Sequence, residues 1–263
     1  MSPESGQQKD EELAEGTLVS HLVELRTRLI RSALAVLVIF LCLVPFAEGI
    51  FTLIATPLME RLPEGATMIA TQVASPFLTP FKMTLFVAVF LGMPVLLYQV
   101  WLFVAPGLYR KEKRFAYPLL LSSILLFYAG VAFAYYVVFP LMFAFFAGVA
   151  PEGVTMMTDI SAYLDFILTI FFAFGLAFEV PIATVMLVWS RLVSVETLGK
   201  ARAYVFLGAF VLGMLLTPPD VISQTLLAVP VYLLYESGLI LARFLGPESD
   251  PSDEPTKDET TGA

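Results

Sequence analysis

The sequence predicts an all-α integral membrane protein with six transmembrane helices, on two observations. Hydrophobic residues make up 58% of the chain and charged residues only 14%, with a mean hydropathy of +0.83, which is far from the composition of a soluble domain. The hydrophobic residues are gathered in six long segments, and the loops between the segments alternate between cation-rich and cation-poor. Segments of about 20 apolar residues are long enough to cross a bilayer as helices.

The six apolar segments cover residues 32–51, 77–100, 115–146, 163–188, 203–216 and 222–241. The first four can span about 30 Å of hydrocarbon at about 1.5 Å per residue. The fifth has only fourteen residues, so it must thin the bilayer locally or rest on its neighbours. We expect the last two helices to be short. Prolines in or beside the segments are expected to kink the helices into a curved bundle: Pro45, Pro80, Pro94, Pro118, Pro140, Pro181 and Pro230.

The cations lie almost entirely in alternate loops. Thirteen of the fifteen Lys and Arg residues fall on one side of the predicted bundle, and the densest group follows the second segment at residues 110–114. Only Arg61 and Lys82 fall on the other side. Because Lys and Arg resist crossing the bilayer, the cation-rich side is expected to be cytoplasmic. Both termini are therefore predicted to lie in the cytoplasm.

The segments outside the spans are polar or amphipathic. Residues 17–31 place leucines at helical spacing, which predicts an amphipathic helix that lies in the membrane interface and continues into the first span. Residues 1–16 and 245–263 are acidic and poor in apolar residues, so we expect two disordered tails. The acidic start of the chain is not typical of a signal or transit peptide. The residues from 17 to 244 form the predicted membrane domain.

Patterns typical of catalysis and metal binding are absent from the sequence. It contains no HExxH, P-loop or GxSxG motif. The single histidine, His21, and the single cysteine, Cys42, are too few to form a metal-ligating cluster. The net charge of −8 comes from the acidic tails, and the body offers no basic surface for nucleic acid. We therefore expect a protein that is not an enzyme and that uses no metal or cofactor.

A few acidic residues in the body are candidates for function. Glu179 lies deep in the fourth segment, where a charged and unpaired carboxylate costs several kcal/mol, so it is expected to contact a ligand or partner, to accept a proton, or to hold helices together. A secondary transporter or proton-coupled channel that uses Glu179 is one hypothesis. Glu24 is spaced to pair with Arg28, Glu112 can be a solvated loop acid, and Asp220 is placed to cap the sixth helix.

Six motifs identify the chain as similar to a known family. They are HLVELRTRL at 21–29, ASPF at 74–77, YQVWLFVAPGLYRKEKR at 98–114, LLFYAGVAFAYYVVFPL at 125–141, FGLAFEVP at 174–181 and GMLLTPPDVISQTLLAVP at 213–230. They resemble TatC, the multispan subunit of the twin-arginine protein translocase, from His21 to Phe244. The resemblance implies a concave, glove-like bundle of six spans in the bacterial cytoplasmic membrane, with both termini cytoplasmic.

The resemblance also implies a function and partners. Proteins of this kind recognise signal peptides that carry two consecutive arginines, on precursors that cross the membrane already folded. They act in an oligomeric complex with two single-span subunits, TatA and TatB, and the proton-motive force drives transport. The implied role is therefore that of a receptor subunit that binds signal peptides, partner helices and membrane lipid.

By the same resemblance, particular residues receive roles. Glu24 and Glu112 match the family's signal-binding carboxylates, and the positions implicated with them are Arg26, Leu29 and Phe103. This chemistry is plausible because a guanidinium binds a carboxylate through two parallel hydrogen bonds, which lysine cannot copy. Glu179 matches the family's intramembrane glutamate. Partner docking is implied for Met214, Thr217 and Gln224, and a structural role for Pro57, Pro94 and Asp220.

Overall fold

The structure is a computed structural model that describes residues 4–59, 67–104, 113–149, 157–216 and 220–245. In these ranges the chain consists of helices joined by short connections, with two strands of three residues each, so the all-α prediction is confirmed. The helices are α1 Glu4–Leu43, α2 Ala47–Met59, α3 Ser75–Val104, α4 Lys113–Phe133, α5 Phe139–Val149, α6 Ile160–Ala177, α7 Val180–Trp189, α8 Val195–Lys200, α9 Arg202–Leu216 and α10 Val221–Leu245. The strands are β1 Thr67–Ile69 and β2 Met157–Asp159.

Six spans follow from these elements. Five stretches are long and apolar enough to cross a membrane: Leu22–Ile54, Ser75–Phe103, Tyr117–Phe146, Ile160–Trp189 and Val221–Phe244. They correspond to α1–α2, α3, α4–α5, α6–α7 and α10, and the shorter apolar helix α9 is the fifth span in chain order. Only α9 is short, with 15 residues, whereas α10 has 25. The expectation that both of the last two helices are short was therefore wrong for the sixth, which extends beyond its apolar segment at both ends.

The N-terminal region also differs from the expectation. Helix α1 begins at Glu4 and runs without a break to Leu43, so residues 4–16 are helical rather than disordered. Residues 17–31 belong to the same helix and continue into the first span, as the sequence predicts. Residues 4–16 contain four Glu and two Gln, which are good helix formers. A helix that continues outward from a stable span also avoids the cost of a new nucleus.

Three of the seven prolines coincide with interruptions of a span. A 3₁₀ turn at Val44–Phe46 contains Pro45, and a π-helical turn at Ala134–Val138 precedes Pro140. Two residues separate the end of α6 from the start of α7 at Val180, next to Pro181. A proline lacks the N–H that would bond to the carbonyl four residues earlier, so the helix rearranges just before it. The remaining prolines lie inside continuous helices: Pro80, Pro94, Pro118 and Pro230.

The packed centre of the molecule is the fourth span. In its most apolar 18-residue stretch, 39% of the residues are buried inside the protein, whereas the corresponding value for the first span is 6%. The core contains fully buried aromatic residues from the third and fourth spans, including Phe127, Phe139 and Phe174. Helix α1 packs along α3, α4 along α6, and α10 along both α7 and α9. The first and fifth spans are therefore peripheral, and the third and fourth form the body on which they rest.

The two loops between the first and second spans and between the third and fourth spans meet on the face opposite the termini. Strands β1 and β2 pair in parallel, with Thr67 beside Met157 and Ile69 beside Asp159. Asp159 caps α6 by accepting hydrogen bonds from the backbone N–H groups of Ser161 and Ala162 at 2.9 and 3.0 Å. This small sheet was not predicted from the sequence.

Candidate functional site

The N-terminal motif presents a carboxylate with one oxygen available. Arg28 lies one turn after Glu24 on α1 and donates from Nε at 3.0 Å, and also from Nη2, to the same oxygen, Oε1 of Glu24. The predicted Glu24–Arg28 pair is thus confirmed. The Glu24 side chain is 35% exposed. Its second oxygen, Oε2, has no partner among the residues that the structure describes, so it can accept a hydrogen bond from outside the chain.

The other described residues of the predicted signal site lie on the same end of the bundle. Arg26 and Leu29 are exposed on α1, and Phe103 is half-buried near the end of α3. Helices α1 and α3 touch where Gly92 meets Val36. Glu24 precedes Val36 by twelve residues on α1, and Phe103 follows Gly92 by eleven residues on α3. Each interval corresponds to about 17 Å of helix. Because the two helices are antiparallel, Glu24 and Phe103 lie at about the same level.

Glu112, the second predicted signal-binding carboxylate, lies outside the described residues, as do Arg110 and Lys111 of the basic run, whereas Lys113 and Arg114 begin α4. The described part of the site therefore consists of one carboxylate, one free cation position at Arg26 and two apolar residues. These are the groups that can contact an extended peptide with basic and apolar residues.

Glu179 lies at the junction between α6 and α7, where its backbone keeps helical dihedral angles and its carbonyl accepts from the N–H of Ala183 at 2.9 Å. Its Oε2 accepts a hydrogen bond from the hydroxyl of Ser123 on α4, and Ser123 is itself buried. Its Oε1 is buried and has no hydrogen-bond partner in the described part of the chain. A buried polar atom without a partner is costly. Glu179 therefore joins two spans through one oxygen and leaves the other available to an additional donor.

Gln224 ties the short fifth span to the sixth. Its side-chain Nε2 donates to the carbonyl oxygen of Phe210 on α9 at 2.7 Å. Gly213 is buried directly against the Gln224 side chain, so the two helices approach closely here. Met214, the next residue of α9, is 54% exposed on the outer face of the pair. Thr217 lies outside the described residues.

Asp220 caps α10, as the sequence predicts. Its Oδ1 accepts from the backbone N–H of Ser223 at 2.7 Å, and its own carbonyl accepts from Gln224 N–H at 3.2 Å. Its other oxygen, Oδ2, is buried without a partner in the described ranges. Of the two prolines predicted to be structural, Pro57 lies in α2 and Pro94 lies half-buried inside α3.

The opposite end of the fifth span is held by an ion pair that sequence reasoning missed. Arg202, the first residue of α9, bonds to both carboxylate oxygens of Glu236 on α10, with Nε to Oε1 at 2.6 Å and Nη2 to Oε2 at 2.9 Å. The hydroxyl of Tyr232 adds a bond to Glu236 Oε1 at 3.0 Å. The pair spans 34 residues of sequence, so no short spacing could reveal it. Polar bonds from two levels thus hold α9 against α10.

Two further polar contacts join the spans near the loop face opposite the termini. Lys82 on α3 pairs with Asp165 on α6, with Nζ 2.6 Å from each carboxylate oxygen. The Asp159 carboxylate accepts from both the hydroxyl and the backbone N–H of Thr71, at 2.5 and 2.8 Å. These hydrogen bonds, that of the Thr71 hydroxyl first, lower the pKa of Asp159 to about 2.

The architecture and these sites define a class: a multispan membrane protein whose polar side chains connect its helices. The sequence profile described as Sec-independent protein translocase protein (TatC) matches residues 20–230. TatC of Azotobacter chroococcum is 62% identical over 242 residues, covering 91% of this chain and 95% of the relative. TatC of Escherichia coli K12 is 59% identical over 227 residues, covering 86% and 88%. The crystal structure of the twin-arginine translocase receptor TatC superimposes with a TM-score of 0.77 at 38% identity, covering 85% of this chain and 98% of that one.

The chain therefore belongs to the TatC family of Sec-independent protein translocase proteins. The resemblance carried by the six motifs is confirmed. The chain is a non-enzymatic transport subunit that works as a component of a protein translocase. This membership decides against the alternative hypothesis of a secondary transporter or proton-coupled channel built around Glu179.

Proposed function

We propose that this chain is the receptor subunit of a twin-arginine translocase, which binds Arg-Arg signal peptides of folded precursors and mediates their export with the single-span subunits TatA and TatB. The observation that carries the proposal is the Glu24 carboxylate, of which one oxygen is bonded to Arg28 and the other is free of partners among the described residues. The structural relative is itself described as a twin-arginine translocase receptor.

The chemistry of Glu24 suits an arginine ligand. Arg28 fixes the carboxylate through Oε1 and neutralises part of its charge, and Oε2 is left to accept from an incoming guanidinium. Glu112 is proposed as the second carboxylate, so that each arginine of the signal has an acceptor. Arg26 disfavours peptides that are merely basic through like-charge repulsion. Leu29 and Phe103 offer apolar contacts to the part of the signal that follows the arginines.

We assign the docking of the TatA and TatB spans to the region of Met214, Thr217 and Gln224, with Glu179 as a second polar contact. Support comes from the exposure of Met214 and from the length of α9, which at 15 residues covers only about 22 Å. A helix this short leaves part of the hydrocarbon thickness unmatched, and a neighbouring helix can relieve that mismatch. Transport energy is proposed to come from the proton-motive force.

The proposed location is the bacterial cytoplasmic membrane, with both termini on the cytoplasmic side. The support is the distribution of cations, thirteen of fifteen of which fall on the side of the termini. In this orientation Glu24, Arg26 and Phe103 face the compartment in which precursors are made. The sheet of β1 and β2 then lies on the outer face.

The receptor role can be tested by peptide binding. We expect the purified protein to bind an Arg-Arg signal peptide at least about tenfold more tightly than its Lys-Lys counterpart, because a charge-assisted hydrogen bond contributes about 1.5–3 kcal/mol. The preference should fall in Glu24→Gln and in Glu112→Gln. Glutamine at position 24 keeps an acceptor for Arg28, so the fold is retained. Glu48→Gln, an exposed acid in the first turn of α2 at the other end of the first span, is the matched control.

Equal binding of the two peptides in all variants would contradict the receptor proposal. The docking proposal is tested separately by disulfide crosslinking from position 214 to cysteines placed along a TatA or TatB span. Cys42 is exposed and must first be replaced by serine. A cysteine at Leu125, which is 60% exposed on α4, is the control for random collision in the membrane. Crosslinking that is no more efficient from 214 than from 125 would refute docking at α9.

A further inference from the structure

A cavity of about 440 Å³ lies between the first, second and fourth spans, close to the loop face opposite the termini. Its volume is within the range of about 300–1,000 Å³ that small-molecule sites occupy. It is separate from Glu24, Glu179 and the α9–α10 pair. None of the roles described above uses it.

The wall of this cavity is mixed near the loop face and apolar at its deep end. Three polar residues lie at the ends of the spans: Gln72 just before α3, Ser75 at its first position, and Ser161 at the start of α6. On α3 the polar Thr79 and Lys82 follow within two turns, and the lining ends at the apolar Leu85, ten residues or about 15 Å beyond Ser75. The apolar residues of the wall are Phe40, Leu78, Phe81 and Leu85. Polar groups near the loop face and an apolar deep end are what an amphiphile in one bilayer leaflet presents.

Lys82 provides a cation two turns into α3, one turn before the apolar Leu85. Its ammonium group has three N–H donors. Two are directed at the oxygens of Asp165, each 2.6 Å away, which holds the ammonium beside the cavity. The Lys82 side chain is 49% exposed, so the third donor can be reached by a ligand. A compact ammonium is a good partner for a phosphate oxygen.

Thr79 supplies an unused hydroxyl in the same wall. Its side chain is 96% buried, with 4% exposed, and its Oγ1 has no partner in the described part of the chain. A buried threonine in a helix commonly donates its hydroxyl to the carbonyl four residues earlier. Thr84, five residues further along α3, does so with Pro80 at 2.7 Å. Threonine in a helix adopts two side-chain rotamers. The Thr79 hydroxyl can therefore rotate to donate to a ligand without breaking a hydrogen bond that it already makes.

We propose that this cavity binds one phospholipid of the leaflet opposite the termini, with its phosphodiester beside Lys82 and Thr79 and an acyl chain along Phe40 and Leu85. A lining that carries polar groups near the loop face and is apolar at its deep end matches an amphiphile in its bilayer orientation. A purely apolar partner helix would leave the third donor of the Lys82 ammonium and the Thr79 hydroxyl without an acceptor. A soluble anion would leave the deep apolar end of the cavity empty. A phospholipid satisfies both zones.

The test is native mass spectrometry of the detergent-purified full chain, titrated with phosphatidylglycerol. We expect a first lipid adduct whose affinity falls roughly three- to tenfold in Thr79→Val, the effect of one hydrogen bond. Lys82→Met combined with Asp165→Asn, which removes both charges without leaving either unpaired, is expected to lower the affinity about tenfold or more. Thr184→Val is the matched control, because its hydroxyl is as deeply buried, bonds to the carbonyl of Val180 within α7, and does not line the cavity.

Two ligand controls separate the possible sources of the phosphate. Diacylglycerol, which lacks phosphate, and glycerol phosphate, which lacks acyl chains, are each expected to bind at least about tenfold more weakly than the whole lipid. Binding of diacylglycerol as tight as that of phosphatidylglycerol would overturn the role of Lys82 and Thr79. Equally tight binding of glycerol phosphate would overturn the lipid assignment in favour of a free anion. Affinity that is the same in wild type and in Thr79→Val would overturn the site itself, since that variant retains the fold.

Discussion

The contact between the fourth and sixth spans depends on the absence of a side chain at Gly238. A Cβ built at this position would lie 2.8 Å from the Cα of Pro181 and 3.0 and 3.1 Å from Oγ1 and Cβ of Thr184, both on α7. Ordinary van der Waals contact begins at 3.4 Å. Gly238→Ala must therefore push α10 away from α7 by about 0.6 Å. Pro181 Cα is backbone, so it cannot rotate aside as a flexible side chain does.

This displacement has a predictable cost. Overpacking of a close contact costs about 1–3 kcal/mol, and the shift also opens the packing around Thr184 and Leu239, which are buried at the same interface. The helix propensity of alanine offsets about 1 kcal/mol at most. We expect a net loss, seen as a lower midpoint of unfolding when the purified protein in mixed micelles is titrated with SDS and followed by circular dichroism.

Gly208→Ala is the matched control for this experiment. Gly208 lies inside α9 and a Cβ there would meet no atom within 4 Å. The same substitution should therefore be neutral or stabilising by up to about 1 kcal/mol, because only the helix propensity changes. If Gly238→Ala is as stable as wild type while Gly208→Ala behaves as expected, the inference that α10 approaches α7 too closely to admit a Cβ at position 238 is refuted. If both variants lose stability equally, the effect does not come from the contact.

Three further predictions concern polar groups. The pKa of Asp159 is lowered to about 2 in the folded protein, so its contribution to folding stability is complete above about pH 5 and is lost as the pH falls toward 2. The difference in unfolding midpoint between wild type and Asp159→Ala should therefore shrink between about pH 5 and about pH 2. A difference that stayed constant with pH would contradict the lowered pKa. Ser123→Ala should destabilise by about 1–3 kcal/mol in the wild type and by clearly less when Glu179 is replaced by leucine, as a double-mutant cycle of unfolding midpoints would show. Arg202→Lys should lower the midpoint at low salt more than at high salt, because lysine cannot make both bonds to Glu236; the same loss at all salt concentrations would argue against an ion pair.

The spans and the interruptions of the chain were largely predictable because they depend on local properties. Apolar length predicts a membrane helix, and a missing N–H predicts where a helix must rearrange. Even so, the sequence does not distinguish Pro45 and Pro181, where helices break, from Pro80, which α3 accommodates. That outcome depends on whether neighbouring spans support the weakened turn. The hydroxyl of Thr84, bonded to the Pro80 carbonyl, is one such local support.

The polar contacts of the candidate sites also divide into local ones, which the sequence predicts, and long-range ones, which it does not. The cap by Asp220 and the pair of Glu24 with Arg28 span three or four residues, so helical geometry alone predicts them. The pairs Lys82–Asp165 and Arg202–Glu236 join positions 83 and 34 residues apart and depend on the register of one span against another. That register is set by close contacts such as the one between Gly238 and α7, whose partner on the other helix no sequence period indicates.

The polar atoms that remain unpaired have a bearing on how such a subunit works. Glu179 Oε1 and Asp220 Oδ2 are buried without a partner in the described part of the chain, and each such atom costs about 1–3 kcal/mol. A protein that acted alone would gain stability by exchanging these residues for apolar ones. A subunit of a translocase can instead recover the cost when partner helices supply the missing donors. If Glu179 contacts a partner helix as proposed, assembly with partner subunits should raise the unfolding midpoint of the wild type more than that of Glu179→Leu, and an equal rise in both would contradict that contact.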